Sequence, residues 1–255
     1  TAITRPRRFS RPLAAHSEWL YRPMSEHLRR CPRLKAFCRS MVQTVAVIDY
    51  GMGNLHSVES ALRRAGAGDV VVTADRARIL EADRVVFPGV GAIRDCMSEF
   101  RRLGCDVTLQ NVIERETPVL AICVGMQSLM TRSDENGGVT CLGLIDGCVT
   151  RFPANHKDSD ETPLKVPHMG WNQVSQVLAH PLWAGIANHA YFYFVHSFFV
   201  PTSDCDVVFG TFDYGVQGCA ALAHKNVFAT QFHPEKSHDN GLKLLSNFLR
   251  WDGTC

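Results

Sequence analysis

The sequence predicts an α/β domain: a mixed, mostly parallel central sheet with helices on both faces and an antiparallel, β-rich extension. Three observations predict it. From Val42 onward, short β-branched apolar runs alternate with segments whose apolar residues recur at helical spacing. After about residue 137 the chain turns to short β-rich segments with no helical pattern between them. At 255 residues and 45% hydrophobic content it is long enough to bury one large core, and its length does not demand two.

The first unit is TVAVIDYG, a β-branched run ending in Gly51, followed by the helical spacing of NLHSVESALRRAG. VVVTAD then reads as a strand, ADRVVFPGVG as a strand running into the helix AIRDCMSEFRRLG, and TPVLAICVG as a strand running into a helix over MQSLMTRS. Strands alternating with helices imply parallel pairing with both faces covered. The later segments TCLGLIDGCVTRF, KVPHMGWNQVS, AYFYFVHSFFV, VVFGTFDYG and ALAHKNVFATQFHP read as short strands, and GLKLLSNFLRW as a closing helix. The polar loop HKDSDETPLK, residues 156–165, carries no assignable role.

Residues 1–40 stand apart. They hold ten basic residues against Glu18 and Glu26, a local charge of +8, are broken by Pro6, Pro12, Pro23 and Pro32, and show no sustained period. A transit peptide fits the acid-poor composition and a nucleic-acid arm fits the charge. Met41, immediately before a strong strand, instead favours a basic, disordered upstream extension without function, leaving 41–255 as the domain. The remaining 17 basic and 23 acidic residues give the domain −6, a poor match for a nucleic-acid surface. The ten cysteines lack CxxC pairs and finger spacing, so reduced thiols are expected. With no apolar run near the roughly 20 residues a membrane helix needs and no secretory leader, a soluble cytoplasmic protein is expected. No HExxH or Cys/His cluster suggests a metal, and no cofactor is expected.

In PVLAICVGMQSLM, Cys123 stands where an apolar strand meets a helix, with Gly125 two residues on. That junction exposes a sulfur at a strand end, and the partial positive charge of a helix N-terminus favours the thiolate, the form that attacks a carbonyl. Cysteine in an apolar run is ordinarily core, the reading that holds for Cys96, Cys105, Cys141, Cys148, Cys205 and Cys219. In TQFHPEKS, His233 and Glu235 are two apart across Pro234, the spacing that points both side chains one way in extended chain. A histidine there can take and return a proton while the carboxylate orients it, although a lone HxE also occurs as a solvated turn. In FPGVGA, Gly89 and Gly91 flank Val90, so backbone N–H groups there can converge on an oxyanion; an ordinary βα turn or a phosphate cradle is the alternative.

Taken together, DYGMGNLHSV, FPGVGA, CVGMQ, VPHMGWN, YFVHSF and QFHPEKS in this order resemble the glutaminase subunits of imidazole glycerol phosphate synthases, which are triad-type (class I) glutamine amidotransferases. The resemblance runs from about Met41 to the C-terminus. It implies hydrolysis of glutamine to glutamate and ammonia, with the ammonia passed to a (β/α)8 cyclase partner in histidine biosynthesis. It also implies Cys123 as nucleophile, His233 as proton shuttle and Glu235 as its orienter. The main-chain N–H groups of Val90 and Val124 would hold the oxyanion, Gly91, Gln127, His196 and Ser197 would line the glutamine pocket, Gly89 belongs to the same oxyanion and substrate-binding set, and Asn54, Trp171 and Lys236 would face the cyclase. Val124 stands where the family has leucine, and residues 1–40 have no counterpart in it. An amidotransferase serving another synthase is the enzymatic alternative, against which VPHMGWN argues; a silent scaffold protein is the other, against which the intact Cys, His and Glu set argues.

Overall fold

The computed structural model describes residues 43–254. The extension expected over residues 1–40, and Met41 with it, lie outside the described residues.

The chain opens on strand β1 (Thr44–Ile48), buried from Val45 to Ile48, and helix α1 (Leu55–Arg64), whose N-terminus is capped by the Asn54 side chain accepting from Ser57 N at 3.4 Å. Strand β2 (Asp69–Thr73) and helix α2 (Arg76–Glu81) follow, the latter capped by Asp75 accepting from Ala77 N and Arg78 N. Strand β3 (Arg84–Gly89) is buried throughout and leads into α3 (Ile93–Arg102) and α4 (Cys105–Glu114). Strand β4 (Val119–Cys123) is also buried along its whole length.

Beyond β4 the helix expected over MQSLMTRS lasts only one turn, α5 (Val124–Ser128), before the chain becomes strand β5 (Met130–Ser133). Its spacing misleads because every residue from Val124 to Met130 is buried, so apolar side chains line all sides and no longer mark one helical face. Strands β6 (Val139–Thr140) and β7 (Ile145–Arg151) pair with β5 in a second sheet. Then come β8 (His168–Gln176), β9 (Ala190–His196), β10 (Phe198–Phe199), β11 (Val208–Asp213), β12 (Gln217–His224), β13 (Val227–Thr230) and helix α6 (His238–Phe248).

The main sheet has nine strands in the order β2-β1-β3-β4-β13-β12-β11-β8-β9. Its first five are parallel and the rest antiparallel, matching the expected mixed architecture. The second sheet, β10-β7-β5-β6, was not foreseen. Because parallel crossovers are right-handed, α1, which steps outward to β2, and α2, which steps back to β3, lie on opposite faces. The direction reverses beside β1, and in open α/β sheets such a reversal opens a crevice beyond the carboxyl ends of the strands. Cys123 ends β4 beside that crevice, in register with Gly89 at the end of β3. Below it pack Tyr50, Phe87 and Phe100, with ring centroids 4.4 to 5.8 Å apart; each such ring contributes about 1.5–3 kcal/mol by burial.

The polar loop 156–165 closes on itself. The Asp158 carboxylate accepts from Asp160 N and Thr162 N, and Lys157 pairs with Glu161 at 2.6 Å.

Candidate active site

Cys123 is the residue at which the chain turns. Its φ of 55° and ψ of −109° put a non-glycine residue in a sparsely populated conformation, a strain of order 1–3 kcal/mol that surrounding packing must hold. Gly125, two residues on, serves packing. A Cβ there would lie 2.2 Å from Phe87 O, so its lack of a side chain lets α5 press against β3. Gly89 does the same from the other side, where a Cβ would meet Gly125 N at 2.7 Å. A helix of one turn has little macrodipole, so what it offers the site is its free first-turn N–H groups.

The turn after β3 is pinned from beneath. Tyr50 Oη donates to Pro88 O at 2.9 Å, and the Cys96 thiol donates to Val90 O at 3.3 Å. Burial pushes the Cys96 thiol up to about 11, so it remains a donor at neutral pH. Cys96, read from sequence as core, is core and also braces this turn. Gly91, with φ of 90°, takes a backbone conformation that favours glycine.

Just past β13, His233 donates from Nδ1 to Glu235 Oε1 at 2.7 Å, with both side chains only 2% exposed. The segment is braced by four contacts. His233 N donates to Tyr193 O, Ser237 Oγ donates to His233 O at 2.6 Å and accepts from Tyr193 N, and Gly241 of α6 lies where a Cβ would be 1.9 Å from Pro234 O. Burial by itself pushes the imidazole pKa down. The charge and contact of Cys123, and after them those of Glu235, outweigh it and raise the imidazole to about 10. Nε2 has no hydrogen-bond partner, and after burial Cys123 is the largest influence on the ring.

Cys123 and His233 open on one cavity of about 430 Å³, within the range of small-molecule sites. Val90, Gly91, Val124, Gln127, His196 and Ser197 line it, together with Asn54 and Lys236. Gly89 supports the cavity from below, and Glu235 stands behind His233. Trp171 lies apart on β8, 46% exposed and stacked on His238 at 5.0 Å.

Two residues escaped the sequence reading. Glu135 lines the cavity while its carboxylate accepts from Ile93 N at the start of α3, 3.2 Å away; nothing in the loop DENGG signals it. Gln231, fully buried, donates from Nε2 to Cys123 Sγ at 3.7 Å. It stands two residues before His233, and that proximity was its only sequence signal. His196, expected in the glutamine pocket, has Nδ1 donating to Phe198 O at 2.8 Å and pairs with His168 at 3.0 Å. Burial first, and then its histidine neighbour, lower His196 to about 3, so it is neutral at physiological pH.

A nucleophile at a strained strand end, an imidazole held by a buried carboxylate and a turn rich in backbone N–H groups together suit acyl transfer from an amide or ester. Among the described residues no group of His, Cys, Asp and Glu is placed to hold a metal ion, and no helix is long and apolar enough to cross a membrane.

The family model of class-I glutamine amidotransferases matches residues 46–251. The chain is 59% identical over 213 residues to imidazole glycerol phosphate synthase subunit HisH 1 of Pseudomonas aeruginosa, covering 84% of this chain and 99% of that protein. It is 53% identical over 213 residues to subunit HisH of the same synthase from Nitrosococcus oceani, covering 83% and 99%. Among solved structures, PurLQS from Thermotoga maritima superposes with a TM-score of 0.63 at 18% identity, covering 82% of this chain and 99% of that one. The glutaminase domain of CTPS from Trypanosoma brucei gives a TM-score of 0.57 at 15% identity, covering 84% and 98%. At these identities the two structures speak for the fold alone.

Proposed function

This chain belongs to the class-I glutamine amidotransferases, and from that premise we propose that it is the glutaminase subunit of an imidazole glycerol phosphate synthase, with Cys123, His233 and Glu235 as its catalytic residues. The observation that carries the reading is the convergence of a strained cysteine and a carboxylate-held histidine on one cavity.

The reaction runs in two halves. Cys123 Sγ attacks the side-chain amide carbon of glutamine, forming a C–S bond and a tetrahedral oxyanion held by the N–H groups of Val90 and Val124. The imidazolium of His233 gives its proton to the amide nitrogen, the C–N bond breaks, and ammonia leaves a γ-glutamyl thioester. A water molecule then attacks the thioester carbon while His233 takes its proton; the C–S bond breaks, releasing glutamate and restoring the thiolate–imidazolium pair. Glu235 holds the imidazole in one tautomer and balances its charge throughout. The substrate is an α-amino acid zwitterion, and the Glu135 carboxylate on the cavity wall suits its ammonium group.

Ammonia is consumed by a (β/α)8 cyclase subunit, which closes the imidazole ring of imidazole glycerol phosphate and releases aminoimidazole carboxamide ribotide. Residues 41–255 form the amidotransferase domain. The surface beside the cavity supports a docked partner: Met169 and Trp171 of β8 and Tyr191 of β9 are 61%, 46% and 53% exposed, on strands in direct register. Lys236 sits over the Tyr193 ring at 5.8 Å, which joins that surface to the cavity rim.

The test is glutamate release by the chain co-purified with a cyclase subunit. The complex is expected to release glutamate, strongly stimulated by the cyclase's ribonucleotide ligand, and Cys123→Ala is expected to abolish release while the complex still forms. Retained hydrolysis in that variant would refute the assignment.

A further inference from the structure

The buried amide nearest the nucleophile has its orientation dictated by groups far from it. Gln231 Nε2 faces Cys123 Sγ at 3.7 Å, and its Oε1 accepts from Gln127 Nε2 at 3.0 Å. Gln127 Nε2 also donates to Phe198 O at 2.9 Å, so both of its amide protons are committed. Turning Gln127 over would set its oxygen against a main-chain carbonyl. Turning Gln231 over would set nitrogen against nitrogen at one end and oxygen against sulfur at the other. Neither amide can flip without losing every bond it makes.

The chain continues outward. Phe198 O also accepts from His196 Nδ1 at 2.8 Å, which fills both of its lone pairs and leaves His196 Nε2 to accept from His168 Nδ1 at 3.0 Å. His168 Nε2 then accepts from Asn172 Nδ2 at 3.3 Å, and the Asn172 amide is tied to the main chain by donating to Asp213 O and accepting from Gln173 N. An amide stands at each end and a peptide carbonyl in the middle, so this is no proton wire. It is a static scaffold with one allowed set of orientations, in which donors run from Asn172 of β8 inward to Phe198 O and, from Gln127, both to that carbonyl and through Gln231 to the sulfur.

We propose that Gln231 is a further catalytic residue, whose side-chain amide donates a hydrogen bond to the Cys123 thiolate and holds it for attack, with Gln127 as the positioning residue that aims it. His233 opens on the same cavity as this sulfur, so the nucleophile has a cationic neighbour and a neutral donor. The neutral donor differs from the imidazolium in that an amide has no acidic proton to give up, so Gln231 holds the thiolate without quenching it. A hydrogen bond to a charged group is among the stronger kind, and in a buried site its loss leaves the thiolate to the imidazolium alone.

The proposal rests on Cys123 being the nucleophile, and its test uses no glutamine, so its failure is distinct from failure of the proposed activity. Full-length chain carrying Gln231→Met, which keeps length and bulk without a donor, is treated with iodoacetamide, and alkylation of the Cys123 peptide is followed by mass spectrometry from pH 6 to 10. The expected result is a rate at pH 7 about tenfold below the unsubstituted protein, with the deficit shrinking as pH rises toward 10. Gln127→Met, which leaves Gln231 in place but free to turn, is expected to give a smaller loss of the same shape, and stands alone if Gln231→Met does not fold. Unchanged alkylation at pH 7, or a deficit of equal size at every pH, overturns the proposal.

Discussion

At the scale of single residues, the site depends on His233 keeping its proton. Its pKa is raised from 6.5 to about 10, so the imidazolium persists across neutral pH and is lost only as pH rises through about 10. The group therefore contributes stability that is fully present below pH 6.5 and lost through that alkaline range. Glutamine hydrolysis is expected to fall along a limb with its midpoint near pH 10, read from kcat/KM of the complex; a limb centred near 6.5 would mean that Cys123 and Glu235 do not act on the ring. His168 and His196 have the opposite sign. Burial lowers them to about 4 and 3, so the stability from keeping them neutral is present above pH 6.5 and lost as pH falls through 4. Thermal unfolding temperature is accordingly expected to drop between pH 6.5 and 4. Cys123 and His233 were legible as a pair because each sits in a local pattern, strand-to-helix elbow and HxE. Gln231 was not, because only its bond to a cysteine 108 residues away gives it a role.

Elements hold these residues where the chemistry needs them, and the last helix is the clearest case. Its C-terminal end is satisfied by Arg84 of β3, which donates to Phe248 O at 2.8 Å and to Trp251 O at 2.5 Å. The guanidinium is buried, so its removal strips Trp251 O of this donor and leaves Phe248 O with only the longer bond from Trp251 N at 3.3 Å. Arg84→Met is expected to destabilise the domain by about 2–4 kcal/mol, measured as a lower urea midpoint, with kcat of the folded protein unchanged. A change below about 0.5 kcal/mol would show that the end of α6 is capped by other means. Strand-helix alternation was readable in this half of the chain because β-branched runs and amphipathic spacing are short-range signals. The helix after Cys123 was over-read because a segment buried on all sides carries no periodicity to distinguish one turn from three.

At the scale of the molecule, the proposed docking surface is the exposed apolar face formed by Met169, Trp171 and Tyr191. Met169→Asp and Trp171→Asp place charges on the apolar face of β8 without touching the core. Each is expected to weaken association with the cyclase at least tenfold by titration, while thermal stability of the free chain changes by less than about 0.5 kcal/mol. Association at unchanged strength would move the docking surface elsewhere. Deleting residues 1–40 is expected to change neither association nor hydrolysis, which would place function wholly in the domain.

By itself the sequence determined the mixed α/β class and singled out Cys123, His233, Glu235 and the glycine-rich turn as the candidates for nucleophile, base, orienter and oxyanion site, since all of these are written in runs of a few neighbouring residues. Only the tertiary structure decided that Cys123 itself carries the strained turn, that Cys96 braces Val90, that Glu135 reaches the cavity and that His168 meets His196 from an adjacent strand. The physical reason is reach. Hydrophobic period and turn chemistry act between near neighbours along the chain, whereas the bonds that aim Gln127 and Gln231 join residues 71, 104 and 108 apart and exist only once the sheet has closed.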